Sequence, residues 1–203
     1  MRDDVAAQFM SRIEENQLKV GKFLTGCDWS HWQASKLDAD MSDYDFFIHK
    51  ISEGKNFIDD KANYRVTQLH TNKPCILYHF FNAKVDGKTQ AQHFMETMTT
   101  YFGGCRVGFA VDFEIEETDR QLNELQLFMS EMYKYGHTPI IYCGDFSKAR
   151  VIAATNNAPL WIARWRKRKP NTLCKFWQFT NKPYDLDLFF GEMSELSLLL
   201  EWV

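Results

Sequence analysis

Long apolar runs are missing from this chain. No stretch approaches the ~20 residues that cross a bilayer as a helix, so no membrane insertion is expected. Met1 to Val20 is charged and has no apolar segment of the signal-peptide kind. Cysteine is sparse: Cys27, Cys75, Cys105, Cys143 and Cys174 are odd in number and widely spread. No CxxC and no Cys/His pair at zinc-ligand spacing occurs, so five small buried hydrophobes made in a reducing compartment are expected. The six histidines form no HxH or HxxxH pair. With no phosphate-cradling glycine loop either, neither a metal nor a cofactor is expected. A GxSxG elbow is also missing, which argues against a Ser/His/Asp hydrolase. No charge sign dominates: 24 basic against 27 acidic residues give −3, too little attraction for a nucleic-acid partner. Linkers, repeats and low-complexity tracts are absent as well, so a single domain and a monomer are expected.

What is present suits one packed core. The 203 residues are 45% hydrophobic and 25% charged, an ordinary globular balance. Aromatics reach 15%, enough for a large core or for a site that stacks on flat ligand faces. Val5, Phe9 and Ile13 recur at helical spacing over residues 3–19, so residues 1–22 read as a helical extension to a domain over 23–203. Apolar strand-like runs follow at Lys22–Asp28, Asp45–Ile51, Cys75–Phe81, Val107–Glu114, Pro139–Cys143, Leu160–Trp165, Lys175–Thr180 and Asp185–Phe189. Helical periodicity fills Asp59–His70, Thr89–Phe102, Asp119–Tyr135 and Phe146–Thr155 between them. Thr118 and Gln121 have capping-box spacing. Met193–Trp202 reads as a closing helix. Alternating strands and helices predict parallel βαβ units, and eight strands predict a closed barrel. The last three strands leave little room for helices. An irregular, TIM-like α/β barrel is therefore expected.

In such a barrel, chemistry gathers at the C-terminal ends of the strands. Asp28, Glu53, Tyr78, His79, Asp112, Glu114, Tyr142, Trp161, Trp165, Gln178 and Asp185 all fall at or near that rim. Asp112 and Glu114 are the sharpest element. Two apart on a strand, they point the same way about 6.6 Å apart. Neighbouring carboxyls in one cavity push their pKa values apart, as glycosidic cleavage requires. An exposed strand end with two solvated acids has the same spacing, but the apolar Gly108–Val111 lead-in argues for burial. Trp29, Trp32, Trp161, Trp165 and Trp177 all fall near predicted strand ends, and sugar rings stack on such faces. The basic run Arg164, Arg166, Lys167, Arg168 and Lys169 reads as a solvated loop.

These residues resemble the family 25 glycoside hydrolases, the Chalaropsis-type lysozymes. Gly26-Cys27-Asp28-Trp29-Ser30-His31-Trp32-Gln33 is similar to the family's opening G-x-D-x-S-x-x-Q. Lys50-Ile51-Ser52-Glu53-Gly54, Tyr78-His79-Phe80 and Asp112-Phe113-Glu114 resemble its K-x-[ST]-E-G, YHF and D-x-E motifs. Pro139–Tyr142, Leu160–Trp165, Trp177–Thr180 and Asp185–Phe189 resemble its later strands, in order. The resemblance implies a (β/α)5(β)3 barrel and a retaining muramidase acting on bacterial peptidoglycan, at the β-1,4 bond between N-acetylmuramic acid and N-acetylglucosamine. It implies Glu114 as general acid/base, Asp112 as second carboxylate, and Asp28 and Asp185 as rim acids. Tyr78, Phe80, Tyr142, Trp161 and Gln178 would bind the sugars. Asp187 stands where the family has Asn, an expected extra negative charge. Val107 and Ala110 break the chitinase pattern DxxDxDxE. An inactive glycan-binding barrel and a hydrolase of another N-acetylhexosamine polymer are the alternatives. With no export segment, a phage-type lysin made in the cytoplasm and acting on the wall after release is expected, or else a trimmed secreted protein.

Overall fold

Period-two alternation decides the architecture. A computed structural model describes residues 23–32, 44–69, 72–165, 169–170, 173–181 and 185–203. The helix expected over residues 3–19, the boundary after residue 22, Gln33 and Arg166–Arg168 lie outside the described residues. The elements run β1 (Phe23–Trp29), β2 (Phe46–Glu53), β3 (Phe57–Ile58), α1 (Ala62–Leu69), β4 (Cys75–Phe80), α2 (Gly87–Phe102) and β5 (Arg106–Asp112). Then follow α3 (Asp119–Lys134), β6 (Ile140–Gly144), α4 (Ala149–Thr155), β7 (Leu160–Ala163), β8 (Phe176–Asn181), β9 (Asp185–Phe190), α5 (Met193–Ser197) and β10 (Glu201–Trp202).

Eight strands close into a barrel in the order β1-β2-β4-β5-β6-β7-β8-β9 and back to β1. All neighbours are parallel except β8–β9 and β9–β1, which are antiparallel. This is the irregular α/β barrel that the alternation predicts. Each strand sends one parity inward. Phe46, Ile48, Ile76, Tyr78, Ala110, Ile140, Tyr142, Trp161, Phe176 and Phe189 fill the interior, and Leu196 of α5 packs against them. The other parity, including Phe47, Leu77, Phe109, Val111, Ile141 and Ile162, packs outward with Phe94, Phe102, Phe128 and Met132 of the helices. Each fully buried side chain of this size contributes roughly 1.5–3 kcal/mol, so the barrel–helix layer is the main source of stability.

Close approach fixes Gly87 at the start of α2. A Cβ there would lie 1.8 Å from the Glu124 carbonyl oxygen of α3. Asp86 caps α2 by accepting from the Thr89 N–H, and Thr118 caps α3 through the Gln121 N–H.

Three elements depart from the sequence reading. The closing helix stops at Ser197, and Glu201–Trp202 instead pairs with Val107 and Arg106 of β5. The cause is register: β5 meets β4 only from Gly108 and β6 only from Ala110, leaving its first backbone groups for β10. Arg106 then donates to the Ser197 carbonyl at 2.9 Å, satisfying the frayed end of α5. The helix expected from Phe146 starts at Ala149, because Ser147 turns the chain and accepts from the Ala149 N–H. The helix expected from Asp59 starts at Ala62, because the Asp59 carboxylate accepts from the backbone of His31 and Lys61.

Candidate active site

Inward parity places polar side chains where each strand runs out of apolar core. Above Phe46 and Ile48, β2 turns Lys50 inward, and above Ala110, β5 turns Asp112 inward. Asp28, Tyr78, Tyr142, Trp161 and Gln178 follow the same rule on their strands. Together they bound a cleft of about 270 Å³ at the C-terminal ends of the parallel strands. The nine residues that the family resemblance implies as acids or sugar-binding groups all line it: Asp28, Tyr78, Phe80, Asp112, Glu114, Tyr142, Trp161, Gln178 and Asp185.

Tyr78, Tyr142 and Trp161 form an aromatic floor, with the Tyr142 and Trp161 rings 4.3 Å apart. A hydrogen-bond chain runs across it. The Tyr142 hydroxyl and the Trp165 indole N–H each donate to Gln178 Oε1 at 2.8 Å. That fixes the amide orientation, so Gln178 Nε2 donates to Asp28 Oδ2, also at 2.8 Å. Tyr142 also contacts the Glu114 carboxyl.

Asp112 is buried, whereas Glu114, two residues past it, is exposed at the cleft mouth. Burial, then the charge of Glu114, pushes the Asp112 carboxyl well above the usual carboxylate range; Lys50 opposes this. Burial also raises Glu114, while the neighbouring Tyr142 hydroxyl lowers it. Asp28 is pushed up to about 7, first by burial and then by Asp185. The Asp112–Glu114 pair therefore gives up its protons in separate steps, retaining one above the ordinary carboxylate range.

The rim is anchored from below. Asp59 Oδ2 accepts from the His31 N–H at 2.7 Å, and Lys61 Nζ donates to the His31 carbonyl at 2.6 Å. Arg65 donates to the Ser30 carbonyl at 3.1 Å and to His49 Nε2 at 3.2 Å. These contacts hold Trp32, 80% exposed and packed against His31 with the rings tilted, at the cleft edge. Across the cleft, Arg164 pairs with Asp145 at 2.7 Å and steadies the exit of β7 before Trp165.

Several expectations shift here. Trp29 and Trp177 belong to the core, on the outward parity of β1 and β8. His79 also points outward, between Ser52 and Gln90, and burial lowers it to about 3, so it is neutral. Arg164 is an ion-pair partner rather than a solvated loop residue. Glu53 binds Lys50 Nζ at 2.6 Å instead of lining the cleft. Ser30, Asn181 and Lys50 line it without having been singled out. Lys50 was legible, since it shares the inward parity of Phe46 and Ile48.

Comparison with known proteins agrees with this geometry. The family model for glycosyl hydrolases family 25 matches residues 27–188. The protein YegX of Escherichia coli (strain K12), described as uncharacterized, is 27% identical, covering 88% of this chain and 74% of its own. A family GH25 lysozyme from Aspergillus fumigatus has the same fold at TM-score 0.72 and 23% identity, covering 88% of this chain and 99% of its own. A muramidase from Acremonium alcalophilum superposes at TM-score 0.70 and 23% identity, covering 87% of this chain and 98% of its own. With the family model spanning the barrel from β1 to β9, the chain belongs to the family 25 glycosyl hydrolases.

Proposed function

We propose that the protein is a retaining muramidase that hydrolyses the β-1,4 bond between N-acetylmuramic acid and N-acetylglucosamine in bacterial peptidoglycan. The observation that carries this reading is the Asp112–Glu114 pair at the end of β5, one acid buried and one exposed, over an aromatic floor. Family membership and the folds shared with a lysozyme and a muramidase support it.

Glu114 stands at the mouth, where a glycosidic oxygen can reach it, and gives that oxygen its proton as the bond to the anomeric carbon breaks. Asp112 Oδ1 is buried and has no protein donor. It accepts the N–H of the substrate's acetamido group, turning the acetamido oxygen onto the anomeric carbon. Direct attack by Asp112 is disfavoured, because burial works against its anionic form. Water then attacks the same carbon, Glu114 takes its proton, and the acetamido group is restored. Two displacements retain the configuration. Asp28 and Asp185 tune the pair electrostatically and meet substrate at the rim, while Tyr78, Phe80, Tyr142, Trp161 and Gln178 contact the sugar rings.

Reducing-end release from purified peptidoglycan, with mass spectrometry of the fragments, tests the reading. Wild type should release fragments ending in reducing muramic acid, and Glu114→Gln should lose about 10³-fold of the rate. Reducing glucosamine ends would assign a different bond. Binding without release from several wall types would indicate an inactive glycan-binding barrel.

A further inference from the structure

Asp187 sits on β9 at the position where the family's closing motif has asparagine. It is fully buried, paired in register with Gly26 of β1 and Gln178 of β8. Trp161 Nε1–H donates to Asp187 Oδ1 at 2.7 Å. Oδ2 receives no N–H from the protein. Its neighbour is the Asp28 carboxyl, on the same inward parity two residues along β1 from Gly26. Two carboxylates cannot share a hydrogen bond without a proton between them. Asp28 already accepts from Gln178, and it lies nearer the cleft opening, whereas Asp187 lies beneath it and lines no part of the cleft.

We propose that Asp187 is a positioning residue that works as a neutral carboxylic acid, donating its own proton to Asp28 and replacing a side-chain amide. Asp28 is then held between two donors, Gln178 and Asp187, with its charge directed to the rim. The groups facing Asp187 are Asp28 and Cys27 from β1, Asp185 from its own strand, Trp161 from β7 and Gln178 from β8. None of these is cationic, and the Trp161 N–H that favours an anion on Asp187 is outweighed by burial and the neighbouring Asp28 carboxyl. Burial, then the charge of Asp28, raises the Asp187 carboxyl well above the usual range. The extra negative charge expected from the sequence is therefore absent near neutrality.

The proposal rests on the glycosidase reading for its catalytic consequence, but its proton can be observed without turnover. Infrared spectra of wild type minus Asp187→Asn at pH 7 should show the C=O stretch of a protonated carboxyl, shifting when aspartate is carbon-13 labelled. In fragment release, Asp187→Asn should keep kcat/KM within about 3-fold of wild type, because its amide supplies the donor. Asp187→Leu removes the donor and should lose roughly 10–100-fold. A wild-type spectrum without the band overturns the proposal, and so does an Asp187→Asn variant as impaired as Asp187→Leu. If wild type cuts no wall at all, the muramidase reading fails while the spectrum still decides the proton.

Discussion

Lys50 is the one basic side chain among the described residues lining a cleft that also holds Asp28, Asp112, Glu114 and Asp185. Its ammonium lies 4.7 Å from the centre of the Phe80 ring and binds Glu53, so it is fixed rather than mobile. The positive charge lowers the Asp112 carboxyl against burial and Glu114. Lys50→Met should therefore move the alkaline limb of the kcat/KM profile to higher pH, by roughly 0.5–1 unit, as read in buffered fragment release. The cysteines carry a second expectation at this scale. Burial pushes the thiols of Cys75 and Cys143 up to about 12, and that of Cys174 up to about 11. Burial and the nearby Asp187 also raise Cys27 well above its usual value, while Cys105 is only half-buried. A thiol reagent at pH 8 should modify Cys105 first in the native protein, and all five only after denaturation. Fast labelling of Cys27 or Cys143 in the folded state would contradict that order.

Among the elements, the α2–α3 contact is the tightest constraint. Gly87→Ala forces a methyl into the Glu124 carbonyl, and neither backbone can yield without moving a helix. A loss of about 1–3 kcal/mol in urea unfolding is expected, with the midpoint shifting and the slope unchanged. The barrel itself was legible because strand parity and helix periodicity alternate over four βα units, and because Thr118 caps where its spacing to Gln121 indicates. What escaped were pieces too short to carry a period. β3 and β10 are two residues each, and both form because a neighbouring strand overhangs its partners. The cleft was readable where a motif and inward parity coincide, as at Asp28, Asp112 and Gln178. Tryptophan position alone misled: Trp29 and Trp177 sit at strand ends, but on the parity that faces outward.

Across the whole molecule, two sets of buried titrating groups oppose each other. Asp28, Asp112 and Asp187 have raised pKa values in the fold. The folded state therefore binds more protons than the unfolded chain, and their contribution is lost as pH rises. For Asp28 the window runs from its ordinary 3.8 to about 7. His49 and His79 are lowered by burial to about 4 and about 3, so their contribution is present above the usual 6.5 and lost as pH falls. The wild-type stability curve should be flattened between these limits. Asp28→Asn removes one side of the opposition, so calorimetry should find it gaining on wild type from pH 4 to pH 7, by up to about 4 kcal/mol. A pH-independent difference would mean that Asp28 is ionised throughout. The seam between β1 and β9 has a consequence in time rather than in space. Asp28 and Asp185 face each other across it in register, one from the first barrel strand and one from the last. A nascent chain that has already emerged past Asp112 and Glu114 still lacks half of the rim. The ribosome must finish β9 before a cleft exists, so a chain ending at residue 184 should release no fragments. A complete cleft would thus arrive all at once, when β9 joins β1.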